Sequence, residues 1–487
     1  MLTRTEPENF ETRLFINGEF VESSDKKKFE LKSPTTHKVV ANVNEASEDD
    51  TNAAVAAAKA AFPSWAALTP SERAKCLKKL STLILEAHSE LAYLEAISMG
   101  RPISGYFESF AASETFSHYS EAGFGALGSS SLNTPGYMNF TLRQPYGVVA
   151  AIIPWNVPLL FLANKAAPAL IVGNTVVVKS SEKAPLTSAK FATLVQKAGF
   201  PPGVFNIISG HGQISGNVLS HHMDIRVLSF TGSGRTGRLI QTASANSNLK
   251  SVILELGGKS PAVVFEDADL EKAAAETQYS IKWNSGQVCM ANSRIYVHES
   301  IAESFIDLFK KKFEIVEAGD PTDAKTNHGP QADEAQYNAV RKHIEAGKLV
   351  GKRILGIDHT DTSSGYFIHP TIFVQTPENA AIMKEEVFGP VVNINTFKTE
   401  ADVVEMANNT DFGLYAAVYT KNVDRALRMA KKLEAGTVGV NCTSPATARD
   451  MPFGGYKASG VGREGFGASM DNYLETKSVL VKIEDCA

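Results

Sequence analysis

Between Val148 and Leu256 the chain carries five short apolar runs, VVAAII (148–153), TVVVK (175–179), VFNII (204–208), IRVLSF (225–230) and SVILEL (251–256). Their β-branched content and their length of about four to eight residues suit strands buried on both faces. The segments between them change to a helical period, as in Leu186 to Ala198. Strands alternating with helices read as βαβ units, which require a parallel sheet. The alternation resumes after Gly257-Gly258 with AVVF (262–265), a helix from Asp269, RIYVH (294–298) and a helix from Glu299. A second α/β domain is therefore expected, with the diglycine as boundary. Upstream, LFINGEFV (14–21) alternates around Asn17-Gly18, a dipeptide that tolerates the positive φ of a tight hairpin turn. Asp49 and Asp50 precede an Ala-rich helical pattern, and Thr69-Pro70-Ser71-Glu72 forms a capping box ahead of Leu77, Leu80, Ile84 and Leu91. Two amphipathic helices are expected, the second ending near Gly100. Ser478 to Ile483 alternates again and is expected to add a strand to a partner's sheet.

The 487 residues are 43% hydrophobic and 21% charged, ordinary for globular proteins. Forty-eight Lys and Arg against 53 Asp and Glu leave a net charge of −5, with both signs scattered. Nucleic acid and anionic membrane are not expected partners. No run of about 18 apolar residues occurs, and the N-terminal stretch shows no export signal. The four cysteines, Cys76, Cys289, Cys442 and Cys486, are too few and too spread for a disulfide framework and show no CxxC spacing. A reducing, cytoplasmic setting is the expectation. His221-His222 has no second ligand cluster nearby, so no metal site is expected.

Phe230 to Gly237 reads FTGSGRTG, a GxGxxG triplet (Gly232, Gly234, Gly237) between a strand and a helix. Glycines let a backbone approach a pyrophosphate, and a helix N-terminus offers it free N–H groups. The alternative is a tight turn without a ligand. Glu255 lies 18 residues beyond Gly237, where a dinucleotide site wants an acid for the ribose hydroxyls. Cys289 stands in the polar, glycine-containing segment Asn284 to Cys289, a loop whose N–H groups can lower a thiol's pKa from about 8.5. The alternative there is a small buried core cysteine.

The chain resembles the aldehyde dehydrogenase superfamily over essentially its full length. The resemblance rests on Pro154-Trp155-Asn156, Val178-Lys179-Ser180-Ser181-Glu182, Phe230-Thr231-Gly232-Ser233, Glu255-Leu256-Gly257-Gly258-Lys259, Gly286-Gln287-Val288-Cys289, Glu385-Glu386-Val387-Phe388-Gly389-Pro390 and Pro452-Phe453-Gly454-Gly455. It implies that Cys289 is the nucleophile, that Glu255 is the general base rather than a ribose ligand, and that Asn156 donates to an oxyanion. NAD is the implied cofactor, held by Lys179 and Glu182 on the adenosine side and Glu386 on the nicotinamide side. Trp155 and Ser233 match positions bordering the pyrophosphate, and Ile153, Phe230, Gly232, Gly237, Leu256 and Phe388 complete the implied set. Lys165 and Glu464 match a proton path from the base; read alone, they are ordinary solvated charges. Glu182 and Glu386, read alone, are helix-start acids, and Lys179 a sheet-edge charge.

The implied architecture is two Rossmann-like parallel-sheet domains, NAD-binding (1–122 and 146–257) and catalytic (258–457), with a small β oligomerisation flap (123–145 and 466–487). A homodimer or homotetramer is the implied assembly. The sequence departs from the family pattern at Ser180-Ser181, where a proline is common, and in the implied substrate pocket. Val157 and Asn164 stand there in place of aromatic residues, Phe161 and Trp283 partly refill it, and Val288 and Met290 flank the nucleophile. Asn441 to Met451 runs one residue longer than usual. A medium or bulky aldehyde, aromatic ones included, is the expected substrate. A CoA-acylating dehydrogenase would lack the general base, so Glu255 argues against it. Cys289, Glu255 and Asn156 together argue against an idle scaffold of the same fold.

Overall fold

The computed structural model describes residues 10–358, 362–444 and 449–484. Two parallel-sheet domains hold most of the chain. The first sheet runs, in spatial order, Glu19–Val21, Leu14–Ile16, Phe205–Ile208, Thr175–Lys179, Val148–Ile152, Ile225–Thr231, Ser251–Glu255 and Gly460–Val461. Its five central strands pair in parallel and are those expected from the β-branched runs. Val148–Ile152 and Thr175–Lys179 are buried at every position, because helices cover both faces of the sheet. The parallel part of this sheet starts in its middle, at Val148–Ile152, proceeds to one side through Thr175–Lys179 and Phe205–Ile208, and returns to the other at Ile225–Thr231. Strand order therefore reverses between Val148–Ile152 and Ile225–Thr231. A crevice opens outside the C-terminal ends of two strands at such a reversal, since their connections leave in opposite directions.

The second sheet has seven strands, in the order Lys352–Leu355, Thr371–Val374, Val391–Phe397, Arg294–His298, Pro261–Val264, Tyr415–Tyr419 and Thr437–Val440. Only its first strand is antiparallel. Sheet membership changes between Glu255 and Pro261, across the diglycine.

Local expectations hold with four corrections. Asn17 (φ 54°) and Gly18 (φ 83°) turn the predicted hairpin, which joins the first sheet through Phe15 opposite Ile207. The first helix, Glu48–Ala66, begins earlier than Asp49-Asp50 suggested: Ser47 is its cap, and Asp50 returns a hydrogen bond to the Ser47 N–H from inside the first turn. Thr69 and Glu72 form the expected box, but the helix after them divides at Ala87 into Pro70–Glu86 and His88–Met99, where Gly100 (φ 84°) ends it. That break keeps Leu77, Leu80, Ile84 and Leu91 in one buried cluster. Glu299–Ile301 is a 3-10 turn, and the α-helix starts at Ala302. The terminal strand is longer than read, Leu474–Lys482, and pairs antiparallel with Tyr137–Pro145 of the same chain, from Leu474 opposite Pro145 to Lys482 opposite Tyr137. One edge of Leu474–Lys482 is taken by this pairing, and its other edge is open among the described residues. Residues 445–448 of the long Asn441 to Met451 segment, and Cys486, lie outside the described residues. No helix among the described residues is long and apolar enough to cross a membrane.

Candidate active site

At the reversal of the first sheet, Pro154-Trp155-Asn156 follows one strand and Gly232-Ser233 the other. Ser233 caps the helix Gly234–Ala245, its hydroxyl accepting the Thr236 N–H at 3.3 Å. Two of the three fingerprint glycines are required by packing. A Cβ on Gly232 would lie 2.5 Å from the Phe230 ring, and one on Gly237 would lie 2.8 Å from Leu256. Gly234 has room for a side chain. Gly232 and the cap Ser233, which lead into this helix, line a cleft of about 250 Å³, and a helix N-terminus beside a cleft favours an anion.

A thiol enters the same cleft from the second domain. Helix Leu270–Lys282 ends in the turn Trp283–Gly286, where Asn284 (φ 50°), Ser285 (φ 53°) and Gly286 (φ 75°) are all left-handed. Two such non-glycine residues cost about 1–3 kcal/mol each and persist only where surroundings hold them. Here they are held on every side. The Asn284 amide donates to the Asn156 carbonyl (3.2 Å), Ser285 Oγ to the Gly329 carbonyl (2.6 Å), and Gln287 Oε1 accepts the Ala332 N–H (2.9 Å). A side chain on Gly286 would collide with the Gly389 backbone at 2.1 Å. The Asn156 amide in turn donates to the Gln287 carbonyl at 3.0 Å, which ties it to the cysteine loop.

Cys289 thus lines the cleft, with the N–H groups of Cys289 and Met290 against its sulfur. The expectation that these donors lower the thiol's pKa is reversed. Burial, then the carboxylates of Glu386 and Glu255, push it up to about 12 and outweigh the donors. Glu386 accepts the Gly258 N–H at 2.9 Å. Burial raises its own pKa to about 7, against the pull of Gly258 and Lys259. Alkylation of Cys289 by iodoacetamide, followed by mass spectrometry of its peptide, is expected to accelerate with pH across the alkaline range, because the thiolate is the nucleophile. Glu386→Gln removes a carboxylate and should raise the rate at pH 8 by up to ~10-fold, the effect of one pKa unit. Superimposable profiles would show that Glu386 does not act on the sulfur.

Glu255 ends its strand fully buried, and neither carboxylate oxygen has a hydrogen-bond partner among the described residues. Beside it, Glu464 accepts from Lys165 Nζ (2.6 Å) and Ser229 Oγ (3.2 Å). Burial first, and then the Glu464 charge, hold Glu255 well above the usual carboxylate range, with Lys165 and Arg463 opposing. Lys165 and Glu464 are therefore a buried ion pair and not solvated charges.

Cys289 and the tethered Asn156 amide therefore share one cleft, and the charge of the buried Glu255 reaches the thiol. The sequence fits the model of the Aldehyde dehydrogenase family over residues 20–479. The chain belongs to the aldehyde dehydrogenase family. It is 44% identical over 477 residues to an aldehyde dehydrogenase of Alternaria alternata, covering 97% of this chain and 96% of that protein. Among solved structures, an aldehyde dehydrogenase from Bacillus cereus in complex with NAD+ is 41% identical, with a TM-score of 0.95 over 97% of both chains. An indole-3-acetaldehyde dehydrogenase of P. syringae, solved with NAD+ and IAA, is 36% identical with a TM-score of 0.95, over 98% of this chain and 97% of that one. The protein is an oxidoreductase that oxidises aldehydes to acids.

Of the residues singled out in the sequence, this aldehyde dehydrogenase gathers Trp155, Asn156, Phe161, Gly232, Ser233, Leu256, Cys289, Glu386 and Phe388 around the cleft. Others stand behind it. The Phe230 ring packs on Gly232, and the Ile153 N–H donates to the Lys179 carbonyl at 3.1 Å. Lys179 is buried and donates to the Ser180 carbonyl at 2.9 Å; burial lowers its pKa, with Glu182 opposing. Val157 and Val288 are core residues, Met290 packs half-buried on the second core, and Asn164 accepts from Thr115 at 3.4 Å. Trp283 meets Phe107 at 5.5 Å. Sequence reasoning missed Gln336 and His343, which also line the cleft; Gln336 donates to the Phe388 carbonyl at 2.8 Å and holds that residue's positive φ of 56°. It missed Asn284 as well, although Trp-Asn-Ser-Gly after a helix is a legible turn signal. Among the described residues no group of three or more His, Cys, Asp or Glu could hold a metal ion.

Proposed function

We propose that this aldehyde dehydrogenase is NAD-dependent and hydrolytic, forming a thiohemiacetal and then a thioester on Cys289. The observation that supports this most is that Cys289 and Asn156 line one cleft, while Glu255, buried and unpartnered among the described residues, is close enough for its charge to act on the Cys289 thiol. Sγ adds to the aldehyde carbon, its proton leaving for Glu255 or solvent, and the carbonyl electrons move onto oxygen. One Asn156 N–H is engaged by Gln287; the second, with the Cys289 N–H, holds the oxyanion. Bound NAD supplies the acceptor for the hydride that leaves as the carbonyl re-forms. Glu255 then takes a proton from water, the hydroxyl attacks the thioester, and the C–S bond breaks to release the acid and the thiolate. Lys165, Glu464 and Ser229 offer that proton a path away from Glu255.

For the cofactor, the Ser233-capped helix suits the pyrophosphate, Trp155 borders it, and Lys179 and Glu182 suit the adenosine ribose. Mixing enzyme, NAD and a panel of aliphatic, aromatic and amino aldehydes should give NADH and free acid, with acid and not acyl-CoA formed when CoA is added. Aromatic and medium-chain aldehydes are expected to show the highest kcat/KM. Glu182 should repel a 2′-phosphate, so kcat/KM for NAD should exceed that for NADP by ~10-fold or more. Equal values would displace Glu182 from the ribose. The segments 1–122 and 146–257 serve the cofactor and 258–457 the chemistry. Segments 123–145 and 466–487 serve assembly: the Leu474–Lys482 strand keeps one free edge, with Leu480 and Ile483 exposed beside it. A dimer or tetramer is expected by light scattering at micromolar concentration, and a monomer would refute this role. The free thiols of Cys76 and Cys442 accord with a reducing, cytoplasmic setting.

A further inference from the structure

A second buried charge cluster lies behind the cleft, outside the machinery above. Arg101 follows the glycine that ends helix His88–Met99, and its side chain is 2% exposed. Its guanidinium pairs with Glu108 and stands 3.4 Å from Glu95, both fully buried. The other end of the same guanidinium donates to the backbone carbonyl of Asn156. Its face lies 4.9 Å from the ring of Trp283, the residue that opens the cysteine loop. Glu108 uses its second oxygen to accept the N–H groups of Leu159 (2.9 Å) and Leu160 (3.2 Å). These belong to the first turn of Pro158–Ile171, a helix with no side-chain cap of its own. One ion pair therefore grips both ends of residues 156–160, the carbonyl through Arg101 and the open N–H groups through Glu108.

We propose that the Arg101–Glu108 pair positions Asn156, fixing the backbone from which its amide reaches the oxyanion. Burying such a pair costs desolvation and gains little net stability over an apolar filling, so stability alone does not account for it. Orientation does. The carbonyl of Asn156 is fixed by a planar fork that also stacks on Trp283, so the amide donor and the cysteine loop share one support. A donor displaced by about 1 Å loses much of its effect on a developing charge.

The proposal rests on Asn156 holding the oxyanion, and its test separates the two claims. Arg101→Lys keeps the charge and the contact with Glu108 but lacks the fork. Pre-steady-state mixing with NAD and aldehyde should show its NADH burst slowed by about 10- to 100-fold, with KM for aldehyde and Kd for NAD moved less than about threefold. Iodoacetamide alkylation of Cys289 makes no oxyanion, so its rate should stay at the wild-type value. In an Asn156→Ala background, Arg101→Lys should slow the burst no further, because both changes remove the same interaction. The double variant Arg101→Met, Glu108→Gln removes both charges together and serves where the lysine variant does not fold. A burst slowed by Asn156→Ala but not by Arg101→Lys overturns the proposal and leaves the oxyanion role standing. Alkylation falling in step with the burst also overturns it, since the cluster would then only hold the fold. A burst unchanged by Asn156→Ala ends both.

Discussion

Cys289→Ala is expected to reduce aldehyde-dependent NADH formation by ~10⁴-fold or more, the scale on which an enzyme loses its covalent nucleophile. NAD affinity should survive, measured by quenching of intrinsic fluorescence, because the contacts proposed for the cofactor are with the capped helix and the carboxylates rather than with sulfur. The geometry strengthens the expectation. Four consecutive residues before the thiol make hydrogen bonds or backbone contacts that would be pointless around an ordinary core cysteine: Asn284 to Asn156, Ser285 to Gly329, Gly286 against Gly389, and Gln287 to Ala332. Cys442, whose pKa is raised chiefly by burial and whose neighbours are Glu276 and Lys272, is the control. Cys442→Ala should keep wild-type turnover, and an equal loss there would sink the assignment of Cys289.

The second large effect divides the two half-reactions. Glu255→Gln keeps size and most hydrogen-bonding capacity but cannot take a proton. Rapid mixing should still give a burst near one NADH per active site, and steady turnover should then fall by ~10²-fold or more. The pH enters with a definite sign. Burial and Glu464 hold the carboxyl of Glu255 well above its usual range, so a larger share of it is protonated at neutral pH, and turnover should rise as pH rises through its titration. A burst that slows in the variant and recovers at high pH would give Glu255 the first proton, from Cys289, as well. A full burst with unimpaired turnover would exclude Glu255 from both roles.

The parts of this molecule that were legible in the sequence are those written locally. Five β-branched runs became five parallel strands, Asn17-Gly18 a hairpin and Thr69 to Glu72 a capping box. Motif residues such as Asn156 and Cys289 carry their own signature and arrive in one cleft. What could not be read depends on partners far along the chain. Lys165 and Glu464, 299 residues apart, look like solvated charges until they are seen buried against one another. The raised thiol pKa comes from burial and from carboxylates at 255 and 386, whereas the sequence shows only the neighbouring N–H groups. Arg101 and Glu108 match no pattern at all, because a buried guanidinium is defined by the carbonyl it holds 55 residues away.

The short strand Gly460–Val461 adds to the edge of Ser251–Glu255, placing Gly460 opposite Glu255, and Glu464 follows it to meet Lys165 and Ser229. On the ribosome this order matters. Cys289, Asn156 and seven strands of the first sheet precede Glu464 in the chain, so they are made before the counter-charge of Lys165. The two buried ions face one another only once residues 460–464 lie on that edge. Closing the buried Lys165–Glu464 pair therefore waits on a segment made after the rest of the first sheet.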